Sequence, residues 1–220
     1  KIKDAFEKKQ FAAVISLDIS GAFDNAWWSA ILQRLRKDDL PHNLFHLCQD
    51  YFLGRTAEIN IAGCIARKTV TKGCPQGSAC GPGFWNVLYD GALKLPLPEG
   101  CELVAFADDL ILLNSDLDPK ILERKVNEAI DRITSWGSDM KLRFNEKKTQ
   151  AMLCTTRRKI PEMTFMMNGR TLMIVKEIRY LGVTIDWKLN WRKHLQEVQK
   201  KVVKITGRIS MLASNTWGLK

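Results

Sequence analysis

Two carboxylates, Asp108 and Asp109, stand side by side in residues 102–113, a stretch that is otherwise almost wholly apolar. Neighbouring acids repel each other, and burial strips their hydration, so such a pair persists most naturally beside a cation. Asp18 closes a second apolar run that begins at Phe11. If the two runs end side by side in one sheet, the three carboxylates converge, and oxygen-rich ligand sets of this kind suit Mg²⁺ or Mn²⁺. Two such ions can bridge the attacking and leaving oxygens of a phosphoryl transfer. The plain alternative is that Asp108-Asp109 forms a turn and nothing more, because Asp is a good turn former. Asp18 and Asp108 are 90 residues apart, so spacing alone leaves their proximity open.

The elements that must position these acids follow from periodicity. Residues 11–19 read as a strand ending at Asp18, and residues 20–25 as a turn. Helical spacing of Trp28, Ile31, Leu32 and Leu35 predicts a helix over about 27–37, and Leu44, Leu47, Cys48 and Tyr51 predict another over 43–53. Residues 56–62 and 66–71 form an expected hairpin around Gly63-Cys64-Ile65, residues 73–78 a Gly/Pro-rich loop, and residues 82–95 a helix. Residues 102–113 read as strand, Asp108-Asp109 turn, strand. Asp118 as cap, Pro119 at the first position and an apolar stripe of Leu122, Val126, Ile130, Ile133 and Trp136 define a helix over 119–136. A strand at 151–156, a hairpin over 177–186 around Gly182 and a basic amphipathic helix over 191–212 complete an α+β pattern.

Composition bounds the function. The 220 residues carry 34 Lys and Arg against 24 Asp and Glu, a net charge of +10 that favours a polyanionic partner. Residues 141–160 and 188–208 each net +6. The longest apolar runs fall well short of the ~20 residues a bilayer crossing needs. The six cysteines form no Cys-x-x-Cys pair and lie far from the three histidines, which argues against a structural zinc site. Cys101 and Cys154, in apolar runs, read as reduced core residues of an intracellular protein. The chain opens on Lys1 and stops at Lys220 just past a helix, the pattern expected of a fragment.

Several of these segments together resemble a known family. Phe106-Ala107-Asp108-Asp109 resembles the signature of reverse transcriptases in the form found in retrotransposons without long terminal repeats. The run from Asp18 through Ile19, Ser20, Gly21, Ala22 and Phe23 to Asp24 is similar to the family's first palm motif, and Gly73 to Pro82, which includes Gln76 and Gly77, to its next. Asn145-Glu146-Lys147-Lys148-Thr149 is similar to its lysine motif, and Tyr180-Leu181-Gly182 to its primer-gripping hairpin. The five segments stand in the family's order. Asn25-Ala26-Trp27-Trp28 and Cys80-Gly81-Pro82 look most like arthropod elements that insert into ribosomal DNA.

The resemblance implies a polymerase palm: an antiparallel sheet backed by helices, with the fingers largely missing at the N-terminus. Residues 1–186 would be the palm with part of the fingers, and residues 187–220 a basic helical segment toward the thumb. The implied activity is RNA-directed DNA synthesis, adding dNMP units to a primer 3′-hydroxyl during retrotransposition. Asp18, Asp108, Asp109 and the backbone carbonyl of Ile19 would hold Mg²⁺, with Mn²⁺ as the alternative ion. Ile19, Ser20, Gly21, Ala22, Phe23, Gln76 and Gly77 would line the nucleotide, with Phe23 as a steric gate against the 2′-hydroxyl; without the resemblance Phe23 reads as a core aromatic. Lys148 would serve the leaving pyrophosphate, Lys147 being the adjacent alternative. Tyr180, Leu181 and Gly182 would hold the primer end. Expected partners are an RNA template, a DNA primer or target and dNTPs, with no membrane; the oligomeric state stays open. The parent element would act in the nucleus after a cytoplasmic ribonucleoprotein phase. The rivals are an RNA-directed RNA polymerase, or a basic RNA-binding module on an inactive truncated palm.

Overall fold

Phe11–Leu17, apolar at every position but Ser16, forms β1, the centre of the main sheet. A strand can be apolar throughout only if both of its faces are covered. Phe11, Ala13, Ile15 and Leu17 face one core cluster, whereas Ala12 and Val14 face a second on the opposite side. The computed structural model describes residues 1–75 and 77–212. In chain order the elements are α1 (Ile2–Glu7), β1, α2 (Ala22–Asn25), α3 (Trp28–Lys37), α4 (His42–Phe52), β2 (Thr56–Ile61), β3 (Cys64–Thr69), α5 (Gly81–Leu93), β4 (Glu102–Phe106), β5 (Asp109–Asp116) and α6 (Pro119–Asp139). They continue with β6 (Gln150–Cys154), β7 (Met166–Met167), β8 (Arg170–Thr171), β9 (Met173–Val175), β10 (Glu177–Tyr180), β11 (Val183–Asp186) and α7 (Arg192–Leu212).

The main sheet runs β4-β5-β1-β6-β9. β1 is antiparallel to both neighbours, with Leu17 opposite Leu110 on β5 and Ala12 opposite Cys154 on β6. β9 joins β6 in parallel, so the sheet is mixed at that edge rather than wholly antiparallel as expected. Helices α3, α5 and α6 cover one face. The other face is covered by Ala5 of α1 and by the β10–β11 hairpin through Ile178. α6 starts where its sequence dictates: Asp118 Oδ1 accepts the Lys120 N–H at 2.8 Å, and Pro119 sits at the first position, where its missing N–H is no loss. Leu122, Val126, Ile130 and Ile133 are fully buried along its inner face.

Three local expectations are corrected. Residues 20–25 are not a plain turn, because Ala22–Asn25 closes one helical turn after Gly21, which takes a left-handed conformation at φ 58°. The first hairpin turns at Ala62-Gly63, so β3 already begins at Cys64. The acidic turn is Ala107-Asp108; Asp109 is already the first residue of β5, paired with Phe106. The helix α1, the small β7–β8 hairpin and the edge strand β9 had no counterpart in the sequence reading. Cys154 is buried with a free thiol as expected, but Cys101 is only half-buried. Among the described residues no helix is long and apolar enough to cross a membrane.

Candidate active site

The antiparallel register places the first acid. Leu17 lies opposite Leu110, so the next step puts Asp18 across from Asp109 at the same end of neighbouring strands. Asp108 sits one residue earlier, in a two-residue hairpin turn whose first position, Ala107, has φ +52°. Two-residue hairpins favour positive φ because it matches strand twist, and glycine is the usual occupant. Here an alanine bears the strain. The turn is held from α5, where the Trp85 indole N–H donates to the Ala107 carbonyl at 2.8 Å.

The segment after Asp18 is fixed by a second stretch of chain. The Ser20 N–H donates to the Arg143 carbonyl and the Asn145 N–H to the Asp18 carbonyl, both at 2.8 Å. The Asp18 N–H in turn donates to Oγ1 of the fully buried Thr149 at 3.2 Å. Asn145 Oδ1 accepts the N–H groups of Lys147 and Lys148, curling the lysine motif into a tight turn. This turn separates the two lysines: Lys148 Nζ reaches to 3.9 Å from Asp18 Oδ2, whereas Lys147 lines an open cavity that includes neither Lys148 nor Asp18. The Lys148–Asp18 pair is largely exposed, so its worth lies in placing a charge and not in stability.

Electrostatics tie the acids together. Partial burial, then the charges of Asp108 and Asp18, push the Asp109 carboxyl above the ordinary carboxylate range. Tyr89 of α5 and Tyr180 at the end of β10 both have their phenols pushed up, first by burial and then by nearby acids, Asp108 and Asp109 for Tyr89 and Asp109 for Tyr180. Both hydroxyls are buried without a hydrogen-bond partner, as is Asp18 Oδ2. A buried polar atom left unpaired costs about 1–3 kcal/mol, so three at one place call for a cause. A divalent cation between the strand ends fits: it would take the orphaned Asp18 oxygen and neutralise the repulsion felt at Asp109. The Ile19 carbonyl also accepts no hydrogen bond among the described residues. The expected convergence is nonetheless looser than a closed cage, because among the described residues no three His, Cys, Asp or Glu side chains form a ready ion site.

Of the remaining expected residues, those described lie on or just before α2, in the Gly/Pro-rich loop and at the end of the β10–β11 hairpin. Phe23, on α2, stacks on Trp85 with ring centroids 5.1 Å apart, and Trp85 stacks on Tyr89 at 5.0 Å. The Phe23 carbonyl accepts the Cys74 N–H at 2.7 Å, which pins the Gly/Pro-rich loop to α2. In that loop Ser78 Oγ donates to the Pro75 carbonyl and accepts the Gly81 N–H. A Cβ at Gly81 would lie 2.7 Å from both the Pro75 carbonyl oxygen and Ser78 Oγ, so only glycine fits. Gly77 is exposed with φ +79°; Gln76 lies outside the described residues. Gly21 and Ala22 frame the α2 turn, and the Asn25 amide donates to the Ser20 carbonyl at 2.9 Å. Leu181 and Gly182, at φ +47° and +79°, close the β10–β11 hairpin as a two-residue turn. Trp85 and Tyr89 are the contributors that sequence reading missed, and Thr149, known there only as the end of the lysine motif, proves to hold the Asp18 backbone. Trp85 and Tyr89 fall at i, i+4 on α5, a spacing that reads as core and carries no sign of a site.

Comparison with known proteins shows the family and the fold. The model of the family described as reverse transcriptase (RNA-dependent DNA polymerase) matches residues 2–185. A putative 115 kDa protein in the type-1 retrotransposable element R1DM of Drosophila melanogaster is 34% identical over 95% of this chain and 20% of its own length. The RNA-directed DNA polymerase from mobile element jockey of Drosophila funebris is 30% identical over 89% of this chain and 22% of its own. The chain thus spans about a fifth of the length of these curated relatives. Among solved structures, apo telomerase from Candida tropicalis superposes with a TM-score of 0.60 at 14% identity, covering 84% of this chain and 33% of that one, a likeness of fold.

Proposed function

Because the chain belongs to the reverse transcriptase (RNA-dependent DNA polymerase) family, we propose that it is the palm of an RNA-directed DNA polymerase from a retrotransposon without long terminal repeats. Its reaction adds a deoxynucleoside monophosphate to a primer 3′-hydroxyl opposite an RNA template and releases pyrophosphate. The observation that carries this reading is the β1–β5 register, which sets Asp18 across from Asp109 with Asp108 in the adjoining turn.

Divalent cations, Mg²⁺ foremost and Mn²⁺ as the alternative, supply charge neutralisation on the triphosphate and activation of the primer hydroxyl when bound. Asp18, Asp108 and Asp109, with the Ile19 carbonyl, are the residues that would hold them. Ser20, Gly21 and Ala22 give a narrow backbone ledge beside the acids. Phe23, backed by Trp85, presents a flat ring where a sugar 2′-hydroxyl would clash. Gln76 and Gly77 complete the nucleotide side. Lys148 sets a positive charge next to Asp18, suited to stabilising the leaving pyrophosphate or giving it a proton. The Tyr180-Leu181-Gly182 turn holds the primer end over the acids. The palm ends near residue 186, and the exposed lysines of α7 beyond it neutralise nucleic-acid phosphates without reading bases. Copying an RNA onto chromosomal target DNA places the parent element's work in the nucleus.

The test is primer extension on an RNA template with Mg²⁺, comparing this chain with one extended upstream, each beside an Asp108→Asn control. Extension abolished by the substitution is expected. Extension that survives it would remove the mechanism.

A further inference from the structure

Outside the acidic edge, an open cavity of about 670 Å³ lies between the C-terminal half of α6, residues 142–147 and the β7–β8 hairpin. Its lining includes Ser20, Arg143, Asn145, Glu146, Lys147 and Arg170. Three of these are cations. Among the described residues none of the three side chains makes an ion pair, so their charge is free for a ligand. The single acid, Glu146, is already engaged, accepting from the Asn168 amide at 2.9 Å. Asn145 spends its carbonyl on the lysine-motif turn, which leaves its NH₂ group as a donor. The cavity therefore offers donors and positive charge in excess and suits a small, multiply charged anion with several acceptor oxygens.

Two chain segments link this cavity to the acids. Ser20 lies two residues past Asp18, and Lys147 is the neighbour of Lys148, whose ammonium group approaches Asp18. Lys147 shares the cavity with Arg143 and Arg170, so positive charge continues from the lysine motif into it. We propose that the cavity is a docking site for the pyrophosphate released by the reaction, lying on its way out. This rests on the polymerase reading for the origin of the ligand. The shared chemistry is an oligophosphate, which could also be the tail of an entering nucleotide. The lining includes Lys147 but none of Asp18, Asp108, Asp109 and Lys148, and the product reading follows from that separation from the acids.

The experiment is calorimetric titration of this chain with sodium pyrophosphate in buffer containing a chelator. Without divalent cation the carboxylates cannot capture the anion, so the result does not depend on extension activity. The Asp108→Asn chain, whose failure in primer extension tests the polymerase reading, should bind pyrophosphate like the unaltered chain. Arg143→Gln with Arg170→Gln should weaken binding by about tenfold or more, while Lys3→Gln with Lys8→Gln, the same charge change at exposed positions on and just after α1, should leave it within about twofold. Equal affinity in all chains, or an equal loss in both double variants, overturns the proposal. A deoxynucleoside triphosphate that binds much more tightly than pyrophosphate through the same two arginines overturns the product reading in favour of entry. Both arginine side chains are exposed, and unchanged thermal melting of the variant confirms that the fold is intact.

Discussion

The indole of Trp85 donates to the carbonyl of Ala107 at 2.8 Å, so a fully buried helix residue holds the turn that carries Asp108. The same ring stacks on Phe23, and one side chain on α5 thereby braces both the acidic turn and the ring proposed to face the sugar. Trp85→Phe keeps a ring in the stack and loses the hydrogen bond. It should cost about 1 kcal/mol of stability yet lower the rate of primer extension more than the affinity for primer–template. Trp85→Ala, which opens a cavity, should cost about 3–5 kcal/mol. Chemical denaturation together with single-turnover extension separates the two effects. An unchanged extension rate in the Phe variant would mean that the bond positions nothing.

Ala107 carries a positive φ in a non-glycine residue, a conformation that costs roughly 1–2 kcal/mol. Ala107→Gly should remove that strain, leave stability equal or slightly higher, and loosen the turn that aims Asp108. Ala107→Val, whose β-branched side chain tolerates positive φ poorly, should destabilise the protein and cut extension sharply. Melting temperatures ordered Gly, Ala, Val from high to low would bear this out; Val matching Ala would show the turn to be relaxed.

How far such positions can be read without coordinates depends on the length of the pattern they sit in. β1 and α6 were legible because a seven-residue strand with six apolar residues and a capped 21-residue helix repeat their signal many times. α1, with six residues, and β7 and β8, with two each, are too short to show a period. At the site, Asp18, Asp108 and Asp109 were identifiable by type, but their opposition depends on a register across 90 intervening residues that no local pattern encodes. Lys147 and Lys148 look alike in sequence; only the Asn145 turn points one toward Asp18 and the other toward the cavity. Tyr89 was hidden because a buried aromatic on a helix has the same spacing whether it packs or also serves a site.

Asp109 holds its proton more tightly in the folded chain than an ordinary carboxylate, because of partial burial and the charges of Asp108 and Asp18. A raised folded pKa means that the stability it contributes is full below the unfolded value near ~4 and is lost as pH climbs through the folded value. In metal-free buffer, Asp109→Asn should therefore raise the melting temperature at neutral pH and flatten its decline as pH rises above the ordinary carboxylate range. Mg²⁺ should stabilise the unaltered chain and act less on the variant. Scanning calorimetry across pH, with and without Mg²⁺, checks all three. A variant no more stable than the parent in chelator would mean that the acids do not repel one another.

Phe23 has two roles that one substitution confounds and two can part. Its ring stacks on Trp85 at 5.1 Å and belongs to the core around α2, so Phe23→Ala loses an aromatic pair worth about 0.5–1.5 kcal/mol beyond its burial. If the ring is also the sugar gate, the same change should raise ribonucleotide incorporation relative to deoxynucleotide by about tenfold or more, a difference of roughly 1.4 kcal/mol between the two transition states. Phe23→Leu separates the cases: it fills most of the packing volume but presents a narrower, non-planar group to the sugar. A purely structural Phe23 gives a destabilised Ala variant with parental sugar discrimination and a near-normal Leu variant. A gate gives relaxed discrimination in both, in the order Ala above Leu, even where the Leu chain melts close to the parent. Competition between matched ribo- and deoxynucleoside triphosphates in one extension reaction measures the ratio directly, free of any change in total activity.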